Sequence, residues 1–347
     1  MDYKEIKNIP VFFIIGRPRS GNTMLRFIFD AHPNVSIPLE GKVITSLFRK
    51  YYYIKIWSRE KLQEFFDDVF LVPQVEFWTL NKKRLKDLLL NAEETVTFQE
   101  LIKLIYLCYD SFFEKNNIIL IGDKNPFYSY DATSMRILLE VFPDAKFIHI
   151  NRDYRDHYLS MRKVKFEGNN LSLVCFRWKY SFKLISDLLG KSPNYYYLKY
   201  EDLVSNPMEE TKKLCLFLNM EYHDDMIHYY KIKDKFLATY PEEEVMKLHS
   251  SLLKPINKNN VYGWREKLDD KDVYIADSII GKYAEQAGYE RKYRSKNILF
   301  SILQIPIQLY CLTWLFLNSS YCKIRPNAFK HKRITFAEIY FSIKEHF

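Results

Sequence analysis

Glycine is scarce in this chain, at 9 of 347 residues, and no stretch is low in complexity. With 48% hydrophobic and 27% charged residues, the composition excludes a disordered or linker-dominated protein. Cysteine is sparse too. Cys108, Cys175, Cys215, Cys311 and Cys322 are odd in number, dispersed and mostly set inside apolar helical patterns, which excludes a disulfide framework or a zinc site and leaves no metal expected. No zinc finger, homeodomain or RNP element gathers the basic residues on a groove-reading helix, so no nucleic-acid partner is expected. The opening MDYKEIKNIP lacks an apolar h-region and a cleavage site. The expectation is a protein that stays where it is made, in the cytoplasm.

What is present is aromatic and basic. Tyr (27) and Phe (26) dominate an aromatic content of 17%, which makes aromatic-walled pockets an expectation, and the formal charge is +9. An excess of that size serves nucleic acid, an anionic membrane surface or an anionic small ligand. With no nucleic-acid motif to claim it, a nucleotide explains it at least as well. The length allows a full core, read as one elaborated domain over residues 1–290 and a helical extension over 291–347.

The run Val11-Phe12-Phe13-Ile14-Ile15 reads as a short buried strand ending at Gly16, followed by an amphipathic helix from about Gly21 to Ala31. Ile118 to Ile121, Lys146 to Ile150 and Tyr195 to Leu198 read as further strands, each followed by a turn and a helical pattern. Strands alternating with helices predict an α/β fold, a P-loop-type parallel sheet flanked by helices, with right-handed crossovers. Its site would lie beyond the carboxyl ends of the strands. Residues 42–115 carry helical periodicity throughout and read as an inserted helical cap. Residues 297–318 form an apolar C-terminal helix pattern flanked by Arg291, Lys292, Arg294 and Lys296 before and Lys323 and Arg325 after. Gln304, Pro306 and Gln308 interrupt it, so three readings stay open: a packed helix, a peripheral membrane contact, or a span of about 20 residues.

Three motifs fall at predicted strand ends. Gly16-Arg17-Pro18-Arg19-Ser20-Gly21-Asn22-Thr23 has P-loop spacing, in which backbone N–H groups and a helix N-terminus cradle phosphate. Asn22 stands where a nucleotide triphosphatase needs lysine, which argues against ATP hydrolysis. Arg19 offers instead a fixed forked cation, with Ser20 and Thr23 as hydroxyl donors. Next, Arg152 follows the strand over 146–150, and Ser160 lies about two helical turns further on, so both can converge on one phosphate. Against this stands an ordinary ion pair of Arg152 with Asp153 or Asp156. Third, Lys124 in Gly122-Asp123-Lys124-Asn125-Pro126 is placed to neutralise charge on a leaving oxygen, or is a surface lysine.

Taken together, these residues resemble the PAPS-dependent sulfotransferases (PAPS is 3′-phosphoadenosine 5′-phosphosulfate), and most closely the tyrosylprotein sulfotransferase branch, from about Val11 to Leu268. That family's P-R-S-G-T-T loop for the 5′-phosphosulfate reads here Pro18-Arg19-Ser20-Gly21-Asn22-Thr23, and its D-A-H-P reads Asp30-Ala31-His32-Pro33. The resemblance implies that Glu40 is the catalytic base, where a carboxylate can take the acceptor proton. It puts Lys42 where an arginine helps hold an acidic peptide, and Lys124 on the family's K-D-P lysine. It further implies that Arg152 and Ser160 bind the 3′-phosphate and Tyr200 lies near the nucleotide. Lys254, in Lys254-Pro255-Ile256-Asn257, and Trp264 would form a lid over it.

The departures concern the acceptor. The family's amino-terminal anchor and luminal disulfides have no counterpart in this sequence, and the segment Val43, Ile44, Leu47, Phe48, Tyr51, Tyr52 and Tyr53 beside Lys42 is apolar and aromatic. The expectation is in-line transfer without a metal from PAPS to a hydrophobic alcohol such as a sterol or lipid, with a carbohydrate hydroxyl or a peptide tyrosine as alternatives. The rival readings are a P-loop small-molecule kinase and a catalytically silent binding protein at a membrane surface. The sequence does not disclose an oligomeric state.

Overall fold

The structure, a computed structural model, describes residues 3–164, 169–232, 254–259, 261–295 and 298–324. It opens on a short helix, α1 (Tyr3–Asn8), and passes into β1 (Val11–Ile15), every residue of which is buried. Five consecutive apolar side chains have no polar face to turn to water, so such a strand is stable only where both faces are covered. Val11, Phe13 and Ile15 enter one core and Phe12 and Ile14 the other.

Beyond β1 lie α2 (Asn22–Asp30), the two-residue strand β2 (Val35–Ser36) and four helices, α3 (Val43–Tyr51), α4 (Arg59–Val69), α5 (Lys82–Leu90) and α6 (Phe98–Leu107). Then come β3 (Leu120–Lys124), α7 (Ala132–Val141), β4 (Lys146–Asn151), α8 (Tyr154–Val164), α9 (Leu171–Leu189), β5 (Tyr195–Lys199), α10 (Tyr200–Ser205) and α11 (Pro207–Leu218). Several helices start where a short polar side chain satisfies an orphan N–H: Ser58 for α4, Asn81 for α5, Asp131 for α7 and Asn170 for α9. Thr97 and Glu100 close a full capping box at α6.

The strands are parallel, in the order β2-β3-β1-β4-β5. The chain leaves the central β1 toward β2 and β3 and returns on its other side at β4. The crevice beyond the carboxyl ends of β3, β1 and β4 is therefore where strand order reverses, the usual binding position in open α/β sheets. Register carries the candidate residues there, with Ile14 opposite Lys124 and Ile15 opposite His149.

Four expectations change. β3 starts two residues later than the apolar run over Ile118 to Ile121 and continues through Lys124, because Asp123 finds the buried Tyr106 and Tyr128 hydroxyls and Lys124 the Glu40 carboxylate. The helical pattern over 42–115 stops at Leu107, and Phe112 and Phe113 cross over to pack on the α2 side of the sheet. The residues Val43, Ile44, Leu47, Phe48 and Tyr51, expected to wall an acceptor pocket, are core. Tyr51 stacks on Trp57 with its hydroxyl on Asp68, while Tyr53 is 67% exposed. Finally, the apolar tail is two helices, Ile298–Leu303 and Ile305–Ile324. The second lies along α9 through Cys311 and Leu315 against Leu173, with Arg177 4.3 Å from the Trp314 ring centre. Among the described residues no helix is long and apolar enough to cross a membrane, so the spanning reading is not met.

Candidate active site

The loop from Gly16 to Gly21 must turn sharply between β1 and α2, and three residues take positive φ: Gly16 (151°), Arg19 (66°) and Gly21 (100°). Both glycines are also places of close approach. A Cβ on Gly16 would stand 2.1 Å from the Ile150 carbonyl oxygen, and one on Gly21 would stand 2.7 Å from the Tyr200 ring. Arg19 holds a left-handed backbone without glycine's freedom, a strain of the kind that concentrates at binding loops. Asn22 explains how the loop stays shut. Its Nδ2 donates to the Arg17 carbonyl at 2.6 Å, so the residue standing in place of the P-loop lysine is a staple. From the far side, His157 of α8 contacts the Pro18 carbonyl at 2.9 Å.

α2 begins on Gly21 with no side-chain cap and no acidic residue in its first turn. Its first N–H groups therefore point into the crevice with the positive end of the helix dipole. Ser20 is fully buried, and among the described residues its Oγ has no hydrogen-bond partner. A buried hydroxyl without a partner is costly unless a ligand supplies one. An uncapped helix start, a closely built loop and an orphaned hydroxyl make a cradle that fits a phosphate or sulfate group.

Arg19, Arg152, Ser160 and Tyr200 come together beside this loop. Arg19 Nε lies 3.4 Å from Ser160 Oγ, and an Arg152 guanidinium nitrogen donates to the Arg19 carbonyl at 3.4 Å. Arg152 sits 4.6 Å from the Tyr200 ring centre, a cation held on an aromatic face. Burial, and after it the Arg152 cation, pulls the Arg19 guanidinium below its ordinary value. Two converging cations are electrostatically unfavourable alone and suited to an anion between them. Of the two carboxylates weighed above as partners of Arg152, Asp153 is held bidentately by Arg155, at 2.9 and 2.8 Å, and Asp156 feels the Arg152 cation, which partly offsets the upward push of burial on its carboxyl.

On the other side of the loop, Lys124 is 2% exposed and forms an ion pair with the Glu40 carboxylate. Its ammonium is also 3.5 Å from Thr23 Oγ1. Burial pulls the Lys124 ammonium below its ordinary value, and Glu40 partly restores it. The Glu40 segment is fixed at the backbone, where Trp78 Nε1 donates to the Glu40 carbonyl at 3.1 Å and Asn125 Nδ2 to that of Gly41 at 3.1 Å. Lys42 follows at the mouth, its Nζ 4.7 Å from the centre of the half-exposed Phe127 ring.

Arg17 is buried against the Tyr130 ring at 5.2 Å, and Lys254 is exposed. Trp264, expected in a lid, is docked on α8, its backbone N–H donating to Asp156 Oδ1 at 2.8 Å and its ring 3.7 Å from the Arg155 guanidinium. The sequence reading missed Asp123 and Glu201, two buried carboxyls that support the site. Asp123 is held by the Tyr106 and Tyr128 hydroxyls, and burial pushes it up to about 7. Glu201 accepts from the Asp153 N–H and the Tyr289 hydroxyl, and burial likewise raises it to about 7. The only sequence signal for either was a carboxylate inside an apolar strand or at a strand-to-helix junction.

Known proteins similar to this chain are sulfotransferases. Protein-tyrosine sulfotransferase 1 of Danio rerio is 26% identical over 290 residues, covering 82% of this chain and 73% of that protein. Protein-tyrosine sulfotransferase 1 of Homo sapiens is 25% identical over 292 residues, covering 82% and 70%. Among solved structures, the sulfotransferase domain from the curacin biosynthetic pathway superposes with a TM-score of 0.53 at 19% identity, over 82% of this chain and 99% of that one. The family model described as the sulfotransferase family matches residues 10–224, well over half of the chain and the span that holds the phosphate loop, Glu40, Lys124 and Arg152. The chain belongs to the sulfotransferase family.

Proposed function

We propose that this enzyme moves a sulfuryl group from PAPS to the phenolic oxygen of a tyrosine in a peptide. The carrying observation is the contact of Lys124 with both Glu40 and Thr23 at the edge of the phosphate loop. It puts a base, a cation and an anion cradle around one point.

In this reading the loop, Ser20 and Arg19 hold the 5′-phosphosulfate, and Arg152 with Ser160 holds the 3′-phosphate. Glu40 takes the phenolic proton as that oxygen forms a bond to sulfur. The bond from sulfur to the bridging oxygen breaks, and its electron pair stays on the leaving phosphate, where Lys124 and Thr23 offset the charge. A sulfuryl group carries less charge than a γ-phosphate, so the protein's own cations suffice without a metal. The resting Lys124–Glu40 pair adds an order to events: an anion in the cradle competes for Lys124 and releases the Glu40 carboxylate for the proton.

Two observations favour a peptide over a sterol or lipid. The apolar residues after Lys42 are packed inside the helical cap, which leaves no described aromatic wall for a hydrophobic alcohol. Similar proteins are named for protein tyrosine as acceptor. The test is to incubate purified protein with sulfur-labelled PAPS and an acidic tyrosine peptide, beside its phenylalanine counterpart, a sterol, a lipid and a glycan. Label on the tyrosine peptide alone is expected. Label on a sterol, lipid or glycan instead overturns the acceptor, and failure to bind adenosine 3′,5′-bisphosphate overturns the reaction.

A further inference from the structure

We infer that the helix pair Ile298–Leu303 and Ile305–Ile324 docks the enzyme on an anionic membrane surface, lying on the bilayer without crossing it. The apolar side chains face outward in a register. Leu299, Ile302 and Leu303 fall at helical spacing on the first helix and are 65%, 54% and 66% exposed. Ile305, Leu309 and Leu312 continue the stripe on the second at 46%, 57% and 45%. The opposite face of the second helix is taken, since Cys311 and Leu315 pack on α9. So the helix is fixed to the protein by one side and shows a second apolar side to the outside, where soluble monomers rarely keep so large a patch.

Charge selects the occupant. Residues 291–337 contain nine of the chain's 52 Lys and Arg and none of its 43 Asp and Glu, so the remainder is balanced at 43 of each and the entire formal +9 lies in this segment. Arg291 and Lys292 are paired with Glu285 and Asp270, while Arg294 is exposed. A second copy of this chain would bring a segment of the same net positive charge and repel. An anionic bilayer offers acyl chains to the stripe and headgroup charge to its flanks. The same helix reaches the phosphate loop, through Trp314 at 6.2 Å from the Tyr130 ring and Tyr130 under Arg17 at 5.2 Å. Docking there holds the catalytic crevice close to the membrane surface.

The test is sedimentation of the full chain with vesicles of phosphatidylcholine alone or with added phosphatidylserine, at low and high salt. Expected is binding to the serine-lipid vesicles that weakens with salt and falls about tenfold in Leu303→Glu with Leu309→Glu. Arg294→Glu with Lys296→Glu should lose about fivefold per cation removed. All variants should keep the wild-type unfolding midpoint and affinity for adenosine 3′,5′-bisphosphate. Should the leucine variant fail to fold, the salt dependence and the charge variant decide. Equal binding to neutral vesicles, no binding by wild type, or lipid-free self-association removed by Leu303→Glu overturns the inference.

Discussion

Lys124 and Glu40 form an ion pair between the last residue of β3 and the segment after β2, with the lysine buried and the carboxylate 29% exposed. The two are unequal partners. Removing the carboxylate strands a buried ammonium, whereas removing the lysine leaves a carboxylate that water can reach.

Glu40→Gln keeps shape and hydrogen bonding and removes the base. The expected result is a kcat lower by about 10²- to 10⁴-fold with little change in affinity for adenosine 3′,5′-bisphosphate. Lys124→Met should lower kcat by about 10²- to 10³-fold. Because the two act through one contact, the double variant should lose far less than the product of the single losses. Steady-state kinetics of all four proteins checks this, and multiplicative losses would remove the coupling.

Asn22 gives a second prediction. Asn22→Lys restores the residue type of a nucleotide triphosphatase, yet its amide now closes the loop on the Arg17 carbonyl. The change should create no ATP hydrolysis. It should cost about 0.5–1.5 kcal/mol of stability, because the buried Arg17 carbonyl loses one of its two donors and keeps the Ser20 N–H. Urea unfolding and a phosphate-release assay test both halves.

Much of this site was legible in the sequence for a physical reason: strand-loop-helix junctions have strong local signatures. The apolar run before Gly16, the glycine at 21 and Arg152 after an apolar strand all mark backbone positions that few other residue types satisfy. The rest depends on which face of a helix or strand meets which neighbour. Asp123 and Lys124 look like a strand end because polar residues usually end strands, and only their partners, Tyr106, Tyr128 and Glu40, show that the strand continues. The aromatic residues after Lys42 have the same helical spacing whether they line a pocket or pack on α7. Trp264 is placed by an Arg155 and an Asp156 more than a hundred residues earlier, a contact no local pattern encodes.

Arg19 pairs strain with function. Its backbone is left-handed at φ 66°, and its side chain converges with Arg152. Arg19→Gly relieves both, so the variant should be more stable than wild type by about 1 kcal/mol. It also removes the fork from the cradle, and adenosine 3′,5′-bisphosphate should bind at least about tenfold more weakly. Calorimetry for binding and urea unfolding for stability should move in opposite directions. A parallel loss of both would mean that Arg19 is structural.

The buried carboxyls Asp123 and Glu201 set a pH dependence of stability. Burial raises each to about 7, from ordinary values of 3.8 and 4.5. Between those ordinary values and 7 the folded protein holds protons that the unfolded chain has released, so unfolding releases protons and stability falls as pH rises through that window. Taken alone, these two carboxyls make the protein more resistant to urea near about pH 5 than near about pH 8, while the buried rings of His32 and His149, pulled down to about 4 and about 3 by burial, oppose them below about pH 6.5. Glu201→Gln keeps an acceptor for the Asp153 N–H and stays neutral throughout, so its stability should fall less than wild type's as pH rises, and the difference between the two slopes isolates Glu201 from the other buried titrating groups. Unfolding midpoints of wild type and Glu201→Gln across this range measure it, and an unchanged slope in the variant would mean that Glu201 is ionised in the folded protein.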